Sequence, residues 1–178
     1  MNVSRNVAAP TPALKRGFAR QLGEAVILFP LGLFALVMAL GGQGGPARRV
    51  LRAQPGASAV RVIAHAALTV LLGVLALILA GVLALGTARG LFYGFVDSGP
   101  YDDSWGGPSK AGAWLAHFGV SLPISAAAIG LLYGLAALHR RLTAPLRGER
   151  RPAWVLPTVL LSCLATALFL FAFIRQLN

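Results

Sequence analysis

The sequence predicts an all-α membrane protein that folds as a four-helix transmembrane bundle. Apolar residues make up 57% of its 178 residues and charged residues only 12%, about half the charged fraction of a typical soluble domain. The apolar residues lie in four blocks, each with about the length that a helix needs to cross a bilayer core of roughly 30 Å. Because lipid offers no hydrogen-bond partners, the backbone of each block is expected to be helical.

The four predicted spans are residues 25–42, 62–86, 111–138 and 153–174. The first is the shortest and contains Pro30, which removes one helical hydrogen bond. Residues 1–22 are expected to form a basic N-terminal tail with an interfacial helix. Residues 23–178 are expected to form a single four-span transmembrane domain.

The charged residues predict an orientation in the membrane. Net charge is +11, and arginines cluster in loop one (43–61) and loop three (139–152), whereas loop two (89–110) carries three aspartates. The positive-inside rule therefore predicts a bacterial plasma-membrane protein with loops one and three cytoplasmic and loop two extracytoplasmic. The cytoplasmic arginines are expected to attract anionic lipid headgroups. Nucleic acid is not an expected partner, because no basic stripe with interleaved aromatic residues is present.

The N-terminal tail conflicts with this orientation, because its basic residues also favour the cytoplasm. These residues are Arg5, Lys15, Arg16 and Arg20. The tail could lie outside despite its charge, the first block could be re-entrant or interfacial with a break at residues 30–32, or the block could be a signal peptide. We favour a full first span, since signal-peptide cleavage would leave the arginines of loop one on the outer side.

Loop two is the most distinctive segment of the chain. The candidate recognition residues in it and just beyond it are Asp97, Tyr101, Asp102, Asp103, Trp105 and His117. Carboxylate oxygens are the ligands that calcium prefers, but the spacing does not match an EF-hand loop. Aromatic residues around the loop are typical of the membrane interface. A solvated, membrane-anchored loop, a recognition surface and a cation site therefore stay open as interpretations.

Span three carries small residues at a regular spacing. Ala126, Gly130 and Gly134 recur every four residues and lie on one face of the predicted helix. Small residues at this spacing allow membrane helices to approach closely. The pattern predicts a helix-packing face, used either within the bundle or between copies of the chain.

The sequence predicts no catalytic residues, cofactor or metal, and an enzyme is not expected. It contains no zinc-protease, nucleophile-elbow, P-loop or dinucleotide-binding motif. The single cysteine, Cys163, allows neither an internal disulfide nor a cysteine metal site. The three histidines, His65, His117 and His139, lie near the ends of spans and are interpreted as interfacial side chains.

Two stretches carry a family resemblance. Residues 28–37, with the sequence LFPLGLFALV, form the first, and residues 91–148, which include SWGGPSKAGAW and GLAALHRRLTAPLRG, form the second. They resemble small integral membrane proteins of actinobacteria, including sensor-type domains, over about half of the chain. The resemblance implies a membrane-embedded sensory or regulatory role and supplies no catalytic residues.

These observations lead to a functional hypothesis with two alternatives. The leading hypothesis is a non-enzymatic integral membrane module that acts as a sensory, regulatory or partner-binding subunit, with a membrane protein or a second copy as partner. The first alternative is a small oligomeric transporter or channel subunit, because four spans form a pore only by assembling. The second is a lipid-modifying enzyme that uses His117 and the aspartates of loop two.

Overall fold

The computed structural model describes residues 12–177 of the chain. Within this range the fold is all-α, with no strand. The helices are α1 (Pro12–Val26), α2 (Leu28–Leu40), α3 (Gly44–Val50), α4 (Ala59–Leu91), α5 (Tyr93–Val96), α6 (Lys110–Leu142) and α7 (Val155–Leu177), with a 3₁₀ turn at Ala144–Arg147. The first eleven residues of the predicted tail lie outside the described range, and the rest of that tail belongs to α1.

Within residues 12–177, three unbroken helices, α4, α6 and α7, are each long and apolar enough to cross a membrane. α4 and α6 contain 33 residues each, which corresponds to about 50 Å at the helical rise. Both therefore extend past a hydrocarbon core of about 30 Å, and past the predicted limits of spans two and three. The described chain thus has the architecture of a multi-pass helical membrane protein.

The first hydrophobic block is a bent pair of helices. Ala19–Val26 and Leu28–Leu40 satisfy the length and apolarity criteria together and meet at an angle of 43°, the geometry of a broken span or a re-entrant segment. The break lies at Ile27, one turn before residues 30–32, where the re-entrant or interfacial alternative placed it. Pro30 explains the shift, because it has no N–H for the carbonyl of Val26 and its ring crowds that carbonyl.

Glycines allow α2 and α4 to pack with their backbones close together. A Cβ added to Gly73 of α4 would overlap the backbone of Phe29, and one added to Gly32 would lie 2.7 Å from the backbone nitrogen of Val70. Small residues at a helix crossing allow the two backbones to come into direct contact, because no large side chain lies between them. The second half of the bent pair is therefore seated against the first half of α4.

A similar arrangement joins the other half of α4 to α6. A Cβ on Gly86 would lie 2.8 Å from the Oγ of Ser125, and one on Gly90 would lie 2.6 Å from the Cβ of Ser121. Each helix thus contributes two small residues spaced four apart, the pattern that favours close packing in lipid. α4 is the central helix of the fold, because it packs against both α2 and α6.

Loops one and three lie at the same end of the bundle because they bond to each other. The backbone N–H of Gln54 donates to the carbonyl of Leu146 at 2.8 Å, and its side-chain amide donates to the carbonyl of Arg147 at 2.9 Å. Leu146 is also buried in one apolar cluster with Ala47 and Leu51. Loop two connects the C-terminal end of α4 to the N-terminal end of α6. It therefore lies at the end of the bundle opposite to loops one and three.

An ion-pair network ties α1 to the loop-three end of α6. Glu24 accepts from Arg20 at 2.9 Å and from Arg140 at 3.1 Å. Ala25, the next residue, is fully buried in the apolar cluster that α4, α6 and α7 share. The end of α1 is therefore held by both charge and packing.

Candidate functional site at loop two

A pocket of about 670 Å³ opens between α4, α6 and loop two. This volume falls within the range of sites that bind small molecules. We call it the loop-two pocket; its lining residues are Val82, Leu85, Gly86, Arg89, Asp103, Ser104, Trp105, Ala116, His117, Val120, Ser121 and Ile124. Most of its surface is therefore aliphatic, with a small number of polar groups.

The polar groups of the loop-two pocket come from three different elements. Arg89 lies in the last turn of α4, Asp103 in loop two, and His117 two turns into α6. No salt bridge joins Arg89 to Asp103 in the described part of the chain. The pocket thus presents a cation, an anion and an imidazole beside aliphatic walls.

His117 is held in a defined orientation. Its Nδ1 lies 2.8 Å from the carbonyl oxygen of Ala113, and because a carbonyl only accepts, Nδ1 carries the proton. The buried ring of Tyr93 stacks on the imidazole with centroids 4.0 Å apart and planes inclined by 15°. In the neutral ring, Nε2 is consequently the nitrogen that accepts a hydrogen bond.

Asp97 and Tyr101 shape loop two beside the pocket. The Oδ1 of Asp97 accepts from the N–H of Gly99 at 3.0 Å, and the hydroxyl of Tyr101 donates to the backbone carbonyl of Asp97 at 2.8 Å. The Gly99 N–H, and after it the Tyr93 hydroxyl, hold the pKa of the Asp97 carboxyl below its usual value. Burial raises the pKa of Tyr101, with a further contribution from the charge of Asp97.

The structure divides the six predicted recognition residues into three groups. Asp103, Trp105 and His117 line the loop-two pocket. Asp97 and Tyr101 bond to each other and do not line it, whereas Asp102 is exposed and lies outside it. Within residues 12–177, no three His, Cys, Asp or Glu side chains are grouped as a metal site would require.

Sequence reasoning missed Arg89, Gly86 and Ser121 as pocket residues. Arg89 stands at the edge of loop two in the sequence, where a lone basic residue gives no sign of a pocket. The spacing of Gly86 with Gly90, and of Ser121 with Ser125, was the available signal, because small residues four apart predict where helices meet. The loop-two pocket lies beside this crossing, because Gly86 and Ser121 also line it.

The predicted small-residue face of α6 lies outside the loop-two pocket. Ala126, Gly130 and Gly134 are exposed, and a Cβ added to either glycine would meet no atom within 4 Å. Gly130 and Gly134 border a second cavity of about 470 Å³ between α6 and α7. Close helix approach within the chain is made instead by the glycines of α2 and α4, and the packing role of this face stays a prediction.

Comparison with known proteins adds no functional assignment. No protein-family model, curated protein or solved structure matches this chain. The resemblance to actinobacterial sensor-type membrane proteins therefore stays a prediction.

Proposed function

We propose that this chain is a non-enzymatic module of a bacterial plasma membrane that recognises a small amphipathic molecule in the loop-two pocket and has a sensory or regulatory role. The observation that supports the proposal is the pocket itself, in which aliphatic walls meet Arg89, Asp103 and His117. Sites of this composition bind an apolar body by burial and fix its polar end by a few directed groups. Asp97 and Tyr101 act on recognition by holding the shape of loop two.

The proposed orientation places loop two outside the cell and loops one and three in the cytoplasm. This orientation rests on the arginines of loops one and three, which are hydrogen-bonded to each other, and on the aspartates of loop two. In a Cys163→Ala background, an impermeant maleimide is expected to label Ser98→Cys in intact cells and Arg150→Cys only after permeabilisation. Labelling of Asn6→Cys in intact cells is expected if the first block spans fully. Labelling of Arg150→Cys before permeabilisation would refute the proposed orientation.

Photo-crosslinking from the pocket wall tests recognition directly. Trp105, which is exposed, is replaced by a benzoylphenylalanine residue in the full chain, and adducts formed in native membranes are identified by intact mass. Asp103→Asn is expected to lower the yield of the adduct about tenfold, since it removes a charged hydrogen-bonding group. Asp102→Asn is the matched control, because its carboxylate neighbours Asp103 in sequence but lies outside the pocket. Equal yields in both variants, or adducts with bulk phospholipid alone, would contradict the proposal.

The alternative of a transporter or channel subunit makes a different prediction for the same molecule. Purified protein in liposomes would then carry the captured molecule across the bilayer. Binding without flux supports a recognition module, whereas protein-dependent flux that Asp103→Asn abolishes would assign the pocket to transport.

A further inference from the structure

The groove between α6 and α7 is a second site with its own chemistry. α7 packs into the bundle through Val155 and Val159, both fully buried. Beside this contact lies the cavity of about 470 Å³, walled by Leu75 of α4, by Gly130 and Gly134 of α6, and by α7. We call it the α6–α7 groove.

The interior of the α6–α7 groove is apolar despite two hydroxyl groups in its wall. The hydroxyl of Thr158 donates to the carbonyl of Trp154 at 2.8 Å, and that of Ser162 donates to the carbonyl of Thr158 at 2.8 Å. Both hydroxyls are therefore satisfied by their own helix. The groove accordingly offers aliphatic surface and glycine backbone to whatever lies in it.

One end of the α6–α7 groove is positively charged. The guanidinium carbon of Arg141 lies 4.9 Å from the centroid of the Trp154 ring, and both residues line the groove. Its neighbour Arg140 pairs with Glu24, whereas Arg141 forms no salt bridge with a carboxylate in the described part of the chain. The groove therefore ends at a cation that a neighbouring anion can neutralise.

The length of the α6–α7 groove matches one leaflet of a bilayer. Gly130 and Arg141 are eleven residues apart on α6, or about 16 Å at the helical rise. Half of a hydrocarbon core is about 15 Å. Arginine and tryptophan are typical of the headgroup level, so the charged end lies at the membrane surface and the glycines lie near the midplane.

We propose that the α6–α7 groove binds one anionic phospholipid, with its phosphate at Arg141 and an acyl chain along Gly134 and Gly130. A lipid supplies both the anion and the slender apolar chain that the groove fits. A second copy of the protein is a poorer match, because the acidic residues at this end of the fold, Glu24 and Glu149, already pair with arginines of their own chain. This site is separate from the loop-two pocket and does not depend on its function.

Contact quenching of Trp154 tests the lipid site. The full chain with Trp105→Phe and Trp114→Phe keeps Trp154 as its single tryptophan and is reconstituted in phosphatidylcholine vesicles. Bromine-labelled phosphatidylglycerol is expected to occupy the site about fivefold more than bromine-labelled phosphatidylcholine at equal mole fraction, the preference that one arginine confers. If the double variant does not fold, the quenching of Trp154 by each lipid is obtained as the difference in quenching between the wild-type chain and Trp154→Phe.

Paired variants locate the effect in the α6–α7 groove. Arg141→Gln is expected to abolish the preference for phosphatidylglycerol, whereas Arg175→Gln at the other end of α7 retains it. Gly134→Leu is expected to reduce quenching by both lipids, whereas Gly119→Leu, which also lies on α6 but outside the groove, leaves it unchanged. Equal quenching by the two lipids in the parent chain, or a preference that survives Arg141→Gln, would overturn the proposal. Weak quenching by both lipids, with a cross-linked dimer that Gly134→Leu abolishes, would assign the groove to a second copy.

Discussion

Gly73→Ala is expected to lower the free energy of unfolding by about 2–3 kcal/mol, the upper part of the range that is usual for overpacking a tight contact. The new methyl group would overlap the backbone of Phe29, which cannot move aside as a flexible side chain would. α2 must then shift away from α4 along the whole crossing. The effect is measured by unfolding the purified protein in mixed micelles with increasing denaturing detergent.

Gly81→Ala is the matched control for Gly73→Ala. It places the same methyl group on the same helix at a position where a Cβ meets no atom within 4 Å. Because alanine favours a helix more than glycine does, we expect Gly81→Ala to be neutral or stabilising by up to about 1 kcal/mol. Equal stability of the two variants would refute the close approach of α2 and α4.

Gly106→Ala is expected to abolish recognition at the loop-two pocket, with a loss of photo-adduct of about tenfold or more. Gly106 has a φ of +99°, which an L side chain rarely adopts, and a Cβ at this position would overlap the carbonyl of Gly112 in the first turn of α6. The loop must therefore move away from α6. Ser104 and Trp105, which line the pocket, move with it.

Gly107→Ala separates the two causes of this effect. Gly107 also has a positive φ, of +94°, but a Cβ there meets no atom within 4 Å. Its substitution carries the backbone strain, about 1–3 kcal/mol, without the steric overlap. The adduct yield is measured from position 105 in both variants, alongside the unfolding midpoint of the bundle. Equal loss in both would show that strain alone, and not the contact with α6, controls the pocket.

The pocket was partly predictable from the sequence. Asp103, Trp105 and His117 were among the candidate recognition residues, which all come from loop two and the start of α6. Arg89 joins them through the antiparallel crossing of α4 and α6, which depends on the register of the two helices. Asp102 shows the limit of the argument, since adjacent residues in a loop point in different directions and only the folded loop determines which carboxylate reaches the pocket.

The sequence by itself determined the helical, membrane-embedded class of this protein and the three unbroken candidate spans. Both follow from local properties, because apolarity over about 20 residues and the need to satisfy the backbone in lipid act within one segment. Pro30 made a broken first block one of the alternatives, but the position of the bend at Ile27 depends on the carbonyl of Val26, which the proline leaves without a hydrogen bond.

Only the tertiary structure decided which residues from distant segments meet. Gly73 against Phe29, Gln54 against Leu146 and Glu24 against Arg140 join parts of the chain that no local pattern connects. The glycines of α4 pack against both α2 and α6, whereas Gly130 and Gly134 of α6 border the α6–α7 groove, and their packing role stays a prediction. The physical reason is that apolarity places a helix in the membrane, whereas its partner and register follow from the shape of both surfaces together.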